Sequence, residues 1–373
     1  MSNLSRSRRR RPSRELADLV LQLARGEGVL GARIPSDCVD ELVHLARAHQ
    51  VEALCYWRWR MASLETGRAH AAPQDAPWKE FHSAFVQHSL WNAALAREIA
   101  ALCGALGSRG VEALFFKGPW LAFAAFPDPG TRPVGDIDLG VRERDYRAAL
   151  DALAALGYRA NRALPADGGT ALRQAHHFRQ LGFDSEGKRP LELHFRLINI
   201  GPPTLNEGWV WDSRAEVEVD SVKFDVPGPA AMLLHLVVHA NQHRFGMLRH
   251  LYDIHFALMH LGRRMDWPRF LGAVEDHRCR TSAFHSLLLA RDLTGAAVPP
   301  SVLDSLRPGA FRCAVFSGVW GLDRARALAA PMMIGHADQA RLYLLEMGTP
   351  LDKARYVFEI ARCALAGFAR SRP

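Results

Sequence analysis

Two aspartates, Asp136 and Asp138, stand one residue apart inside the apolar run "PVGDIDLGV". Along a strand, residues two apart share a face, so these carboxylates point the same way while Ile137 and Leu139 turn into the core. The later stretch "LELHFRL" alternates likewise, with Leu191, Leu193, Phe195 and Leu197 on one side and Glu192, His194 and Arg196 on the other. If the two strands are neighbours, Asp136, Asp138 and Glu192 converge on one patch. Clustered carboxylates repel each other, and a divalent cation removes the conflict. Such hard oxygen ligands suit Mg²⁺ (or Mn²⁺), with positions left open for substrate phosphates. The chemistry expected is metal-assisted phosphoryl transfer. A solvated D-x-D on an exposed sheet face would read the same way, so the pair alone does not decide.

The upstream residues sharpen it. "FFKGPW" sets Lys117 and Gly118 between a strand and a helix, where a glycine lets phosphate oxygens approach the amides of a helix start and a lysine adds a full positive charge. Lys117 is one of only five lysines beside 42 arginines. The turn "PDPGTRPVG" then delivers Arg132 four residues before Asp136, within reach of the carboxylates or of a bound triphosphate.

His235, His239 and His243 recur at four-residue spacing and share one helix face. Their stretch is "HLVVH", without the glutamate of H-E-x-x-H, so a face turned towards the sheet is expected rather than a zinc site. His194 and His239 are the candidates for the acceptor side. Asp253 in "LYDIHF" is expected to cap or pair. Trp209 and Trp211 are the one aromatic pair that could offer a stacking platform.

These residues need elements to carry them. "RELADLVLQLARG", "DCVDELVHLARAHQVEALCYWRW" (with Ser36 or Asp37 as its cap) and one long amphipathic stretch ending at Gly107 read as helices. From Val111 the pattern becomes strand, helix, strand, helix, then three strands, the last two joined by the hairpin loop "DSEGKRP". A further hairpin, "AEVEVDSVKFDV", precedes a run of helices. The fold expected is α+β, a small mixed β-sheet flanked by N-terminal and C-terminal helical regions. Residues 1–14 would be a disordered basic tail, 15–110 the first helical region, 111–200 the α/β core, and 201–373 a hairpin plus a helical domain.

Lys-Gly after a strand, Asp-x-Asp on the next and a single carboxylate on a later one resemble the DNA polymerase beta-like nucleotidyltransferase superfamily. "LFFKGPWLAFAAFPDPGTRPVGDIDLGV", the helix ending "ALGY" and "LELHFRL" are similar to its bacterial branch of uncharacterised nucleotidyltransferases, with a K-G…R-x-x-x-D-I-D-L pattern. The likeness covers residues 110–200 closely and the C-terminal helices more loosely. It implies transfer of a nucleoside monophosphate from an NTP to an acceptor, with pyrophosphate released. Asp136, Asp138 and Glu192 would then be catalytic residues holding two Mg²⁺ ions, and Lys117, Gly118 and Arg132 would bind the nucleotide. The chain departs from the superfamily in having no serine after the first strand and a longer gap from Gly118 to Asp136, which fits the branch. It departs from the branch in having Phe126 where tyrosine is usual and Gly140 where leucine is usual.

Composition narrows the alternatives. The chain has 373 residues, 49% of them apolar and 23% charged, which suits a soluble globular protein. The net charge of +8 is concentrated in residues 1–14, which hold six arginines and no acid, so the body is close to neutral. A nucleic-acid partner is therefore indicated only by the tail. The six cysteines form no C-x-x-C pair, and no secretory leader or membrane span is evident; a cytoplasmic protein is expected. A D-x-D glycosyltransferase would need a longer β-α-β region before the aspartates. A silent binding or antitoxin-like module would have lost a carboxylate. The acceptor, whether small molecule, peptide, protein or RNA, is not legible.

Overall fold

The computed structural model describes residues 14–31, 34–67, 75–161, 180–198, 207–243 and 245–314. Most of the basic tail, parts of the strands expected around 158–183 and the helices expected beyond 314 lie outside them.

The architecture is α+β. Five strands form one mixed sheet in the order β1-β2-β5-β4-β3. They are β1 (Ala113–Phe116), β2 (Ile137–Val141), β3 (Arg159–Ala160), β4 (Gln180–Asp184) and β5 (Leu191–His194). β2 runs parallel to β5 and antiparallel to β1, while β4 runs antiparallel to both β5 and β3. Phe115, Ile137, Leu139, Leu191, Leu193, Leu181 and Phe183 share one face, and all are buried. That face meets the hairpin β6 (Ala215–Val219) and β7 (Val222–Val226), with the Phe115 and Phe224 rings edge to face at 5.4 Å.

Strand β5 ends at His194, earlier than the alternation through Leu197 suggests. Glu207 is the reason. Its carboxylate accepts the amides of Leu197 at 2.7 Å and Ile198 at 3.3 Å, turning the chain out of the sheet.

Helices α1 (Arg14–Arg25), α2 (Val39–Ala48), α3 (Glu52–Glu65), α4 (Trp78–Ala93) and α5 (Leu95–Gly107) precede the sheet. Ser36 and Asp37 do not cap α2; they lie in a tight turn ahead of it. The long helix expected to end at Gly107 is broken between α4 and α5. The carbonyl of Trp91 accepts from the Arg189 guanidinium and from the amide of Ala94, which opens the helical ladder there. Short α6 (Gly118–Trp120), which widens into a looser turn over 121–125, and α7 (Tyr146–Ala155) connect the first strands. After β5 come α8 (Gly208–Asp212), α9 (Pro229–Gln242), α10 (Leu248–Leu261), α11 (Trp267–Asp276), α12 (Arg280–Thr294) and α13 (Pro300–Leu306). α9 packs on α10, α11 and α12, and α10 also packs on the turn over 121–125. Among the described residues no helix is long and apolar enough to cross a membrane.

Arg189 is fully buried, pairs with Glu98 of α5 and donates through Nε to the carbonyl of Val134 at 3.1 Å. Removing one partner of a buried pair strands the other charge. Arg189→Met should therefore cost about 3–5 kcal/mol in urea unfolding, and adding Glu98→Leu should recover part of it. A loss below about 1 kcal/mol would show that the pair is not structural.

Candidate active site

The register brings the expected carboxylates together. Asp138 lies opposite Glu192 across β2 and β5, Phe116 lies opposite Asp138 across β1 and β2, and Gly140 lies opposite His194. This second face of the sheet is covered by α9, where the His235 ring meets Phe116 at 4.8 Å. Gly140 is required by the close approach of Leu197: a Cβ there would come within 2.3 Å of Leu197 Cδ2, so Leu197 fills the space a larger residue would take.

Lys117 leaves β1 with φ +51 and ψ −106, a backbone conformation that side-chain-bearing residues rarely adopt. The turn sends its side chain back over the sheet, and Nζ reaches Asp138 Oδ1 at 2.7 Å. Lys117 is 8% exposed and Asp138 is 1% exposed. Strain of this kind persists only where the surroundings over-determine it.

His194 was expected on the acceptor side. It is instead buried behind the carboxylates, with Nε2 at 3.1 Å from Asp138 Oδ1 and 3.5 Å from Glu192 Oε2. Ligand atoms of Asp138, Glu192 and His194 all lie within 4.8 Å of one another, a spacing one cation could bridge. Two carboxylate oxygens and an imidazole form a donor set that fits a small divalent ion, and the Lys117 ammonium already stands at the same Asp138 oxygen. Asp136 sits half-buried just before β2, beside this cluster rather than inside it.

The charges follow from this packing. Burial and the neighbouring Asp138 and Glu192 push the Asp136 carboxyl up, while Lys117 pulls it down less strongly. Burial also works against the Asp138 charge, but Lys117 and His194 overrule it and hold the group below the usual carboxylate range. For His194, burial opposes protonation, and the bonds to Asp138 and Glu192 more than reverse it.

Arg132 is committed elsewhere in the site than expected. Its Nε and Nη2 are held by both oxygens of Asp253 at 2.7 and 3.0 Å in a buried, bidentate pair. Gly118 also has a packing role. A Cβ there would fall 2.8 Å from Val134 Cγ1 and 3.4 Å from the Asp136 carbonyl, so the missing side chain makes room for the D-x-D turn. Gly118→Ala should cost about 1–3 kcal/mol by overpacking, and Val134→Ala should relieve it; denaturation of the two single variants and the double tests this. Strictly additive losses would place the glycine's role elsewhere.

The tryptophan pair is not a stacking platform. Trp211 is buried under Arg142 at 4.3 Å, and Trp209 is covered by Arg269 at 4.5 Å.

The histidine face does turn towards the sheet. His239 meets His243 at 4.4 Å and His250 at 4.9 Å, and His243 meets His250 at 4.8 Å between ring centres. His250 and its neighbour Arg249, on α10, are site residues that the sequence reading missed. The available signal was the Arg249–Asp253 spacing, which sets both on one helix face. Burial, with Lys117 next, lowers His235 to about 3 and His243 to about 4. His239 and His250 are driven well below their ordinary value, by burial first and then by Lys117 and Arg249 respectively.

The wall is thus made of neutral imidazoles. His235 donates to the Leu197 carbonyl at 2.7 Å and is 6% exposed. The unfolded chain takes up a proton near pH 6.5 that the folded chain refuses until about 3, so its contribution is full above 6.5 and is lost as pH falls. Between pH 8 and pH 5 this one group should cost about 2 kcal/mol of stability. Thermal unfolding across that range should flatten in His235→Gln; an unchanged slope would remove His235 as the cause.

An acidic patch held by a lysine inside a small mixed sheet is the kind of site that handles phosphoryl groups. The profile of the family described as "Uncharacterised nucleotidyltransferase" matches residues 35–295, and the chain belongs to that family. No curated protein matches the chain. The solution structure of the antibiotic-resistance factor ANT(2'')-Ia is similar over 53% of this chain and 98% of that one, at 15% identity and a TM-score of 0.36. A likeness of that size says nothing about chemistry.

Proposed function

We propose that the protein transfers a nucleoside monophosphate from an NTP to an acceptor hydroxyl or phosphate and releases pyrophosphate. The observation that carries this reading is the pairing of Asp138 with Glu192 in register, with Asp136 beside them and Lys117 at 2.7 Å from Asp138. Asp136, Asp138 and Glu192 would hold Mg²⁺ or Mn²⁺, with His194 within reach of the same ion. When bound, such ions neutralise the phosphoryl charge and activate the acceptor oxygen.

The remaining work falls to the chain. Lys117 is close enough to exchange its carboxylate for a phosphate oxygen, and the Gly118 turn would bring backbone amides beside it. Arg132 contributes by clamping α10 to the D-x-D turn through Asp253, leaving Nη1 near Gly118. Glu192, half-buried where Asp138 is sealed, is the carboxylate able to accept a proton from the acceptor. His194 fixes the orientation of Asp138. The acceptor would lie between the sheet face and helices α9 and α10, against His239. The free thiols among the described residues suit a reducing compartment, which for this reading is the cytoplasm.

The test is incubation of the purified protein with each α-labelled NTP, Mg²⁺ or Mn²⁺ and a host extract, beside Asp136→Ala/Asp138→Ala. Label transfer and pyrophosphate release should fall at least about a hundredfold in the variant. Transfer that survives the double substitution would sink the site. Transfer only from a labelled nucleotide sugar would favour a glycosyltransferase, and no metal-dependent NTP binding would favour a silent module.

A further inference from the structure

Among the described residues, Arg249 is a cation of this site with no carboxylate in ion-pair contact. Among the described residues its Nη1 reaches the Pro133 carbonyl at 3.5 Å, and its Nη2 contacts His250 Nε2 at 3.3 Å. Its Nε is buried and meets no acceptor among the described residues. Asp253 is held by the buried Arg132, and the half-buried Arg249 feels Asp253, Asp136 and Asp138 only at a distance, with no hydrogen bond to any of them among the described residues. A buried N–H left without an acceptor is costly unless a ligand completes it.

His250 points to the same conclusion independently. It is 1% exposed. A guanidinium can only donate, so Nη2 donates to Nε2 and the His250 proton sits on Nδ1. Nδ1 is buried and also finds no acceptor among the described residues. Two touching side chains therefore each present an unsatisfied donor, and what is missing is a group that only accepts. Arg249 is near enough to Asp136 and Asp138 to feel their charges, and His239, His243 and His250 all feel Lys117. The place thus adjoins the carboxylates and the lysine.

We infer that Arg249 and His250, walled by His239 and His243, form a phosphate-class oxyanion subsite. This rests on the nucleotidyltransferase reading for its occupant, which is either the terminal phosphates of the NTP or a phosphate carried by the acceptor. In both cases bidentate, charge-assisted bonds from the guanidinium hold the oxyanion, and Arg249 supplies the grip that Arg132, locked on Asp253, does not.

The experiment is calorimetric titration of the full chain with pyrophosphate and with glycerol phosphate, each with and without saturating NTP and Mg²⁺. It uses wild type, Arg249→Gln, Arg249→Lys and His250→Leu, each checked for a near-native unfolding midpoint. Pyrophosphate should bind wild type and weaken about ten- to hundredfold in Arg249→Gln, with Arg249→Lys in between. If Arg249→Gln does not fold, the Arg249→Lys and His250→Leu losses carry the same comparison. Displacement of pyrophosphate by NTP assigns the subsite to the nucleotide. Glycerol phosphate that binds beside NTP and is lost in the Arg249 variants assigns it to the acceptor. Equal affinities in wild type and every folded variant, or no binding of either anion by wild type, would overturn the subsite. Failure of the transferase reading shows separately, as wild type that binds pyrophosphate through Arg249 yet releases none from any NTP.

Discussion

Asp138 is an ionised carboxylate with 1% of its surface exposed, and the site is organised around keeping that charge tolerable. Burying an unpaired carboxylate would cost more than a typical domain can spare. Lys117 and His194 both converge on the same oxygen, Oδ1, at 2.7 and 3.1 Å. Meeting it requires the rare backbone conformation at Lys117, the parallel register of β2 with β5, and α9 packed over the face to seal it. A carboxylate compensated by a lysine in this way is also ready to exchange that lysine for another cation, which links the folding constraint to the proposed chemistry.

The helical regions on either side serve this face directly. The turn leading into Asp136 is held from α4, where Asn92 donates to the carbonyls of Pro129 and Arg132 and Trp91 Nε1 donates to Val134 at 2.9 Å. Arg189 reaches the same Val134 carbonyl from the β5 side. From the C-terminal side, Asp253 of α10 fixes the Arg132 guanidinium. A segment of eight or so residues is thereby fastened by three separate elements, so carboxylates on a short strand can be held to hydrogen-bond precision. The imidazole wall adds a different quality: neutral, and running from the buried His235 and His250 out to the exposed His243, it offers donors and acceptors without adding charge beside Lys117 and Arg249.

The two-residue alternation determined much of this by itself. It set Asp138 and Glu192 on one side of their strands and Ile137, Leu139, Leu191 and Leu193 on the other, because a pleated strand leaves a side chain no other choice. The Lys-Gly step, the hairpin at 184–190 and the α+β order were legible for similarly local reasons of turn chemistry and periodicity. What the tertiary structure decided was partnership. Arg132 could have met a carboxylate or a phosphate, and Asp253, 121 residues along the chain, took it. His194 could have faced an acceptor and was sealed behind Asp138. Gly118, read as an opening for phosphate, also makes room for Val134. Arg249 and His250 carried no local mark beyond the four-residue step from Arg249 to Asp253, and they matter because packing left their donors unmet. Strand faces follow from covalent geometry, whereas the choice of partner for a charge depends on which distant groups packing brings within a few ångströms, and one chain's local pattern does not contain that.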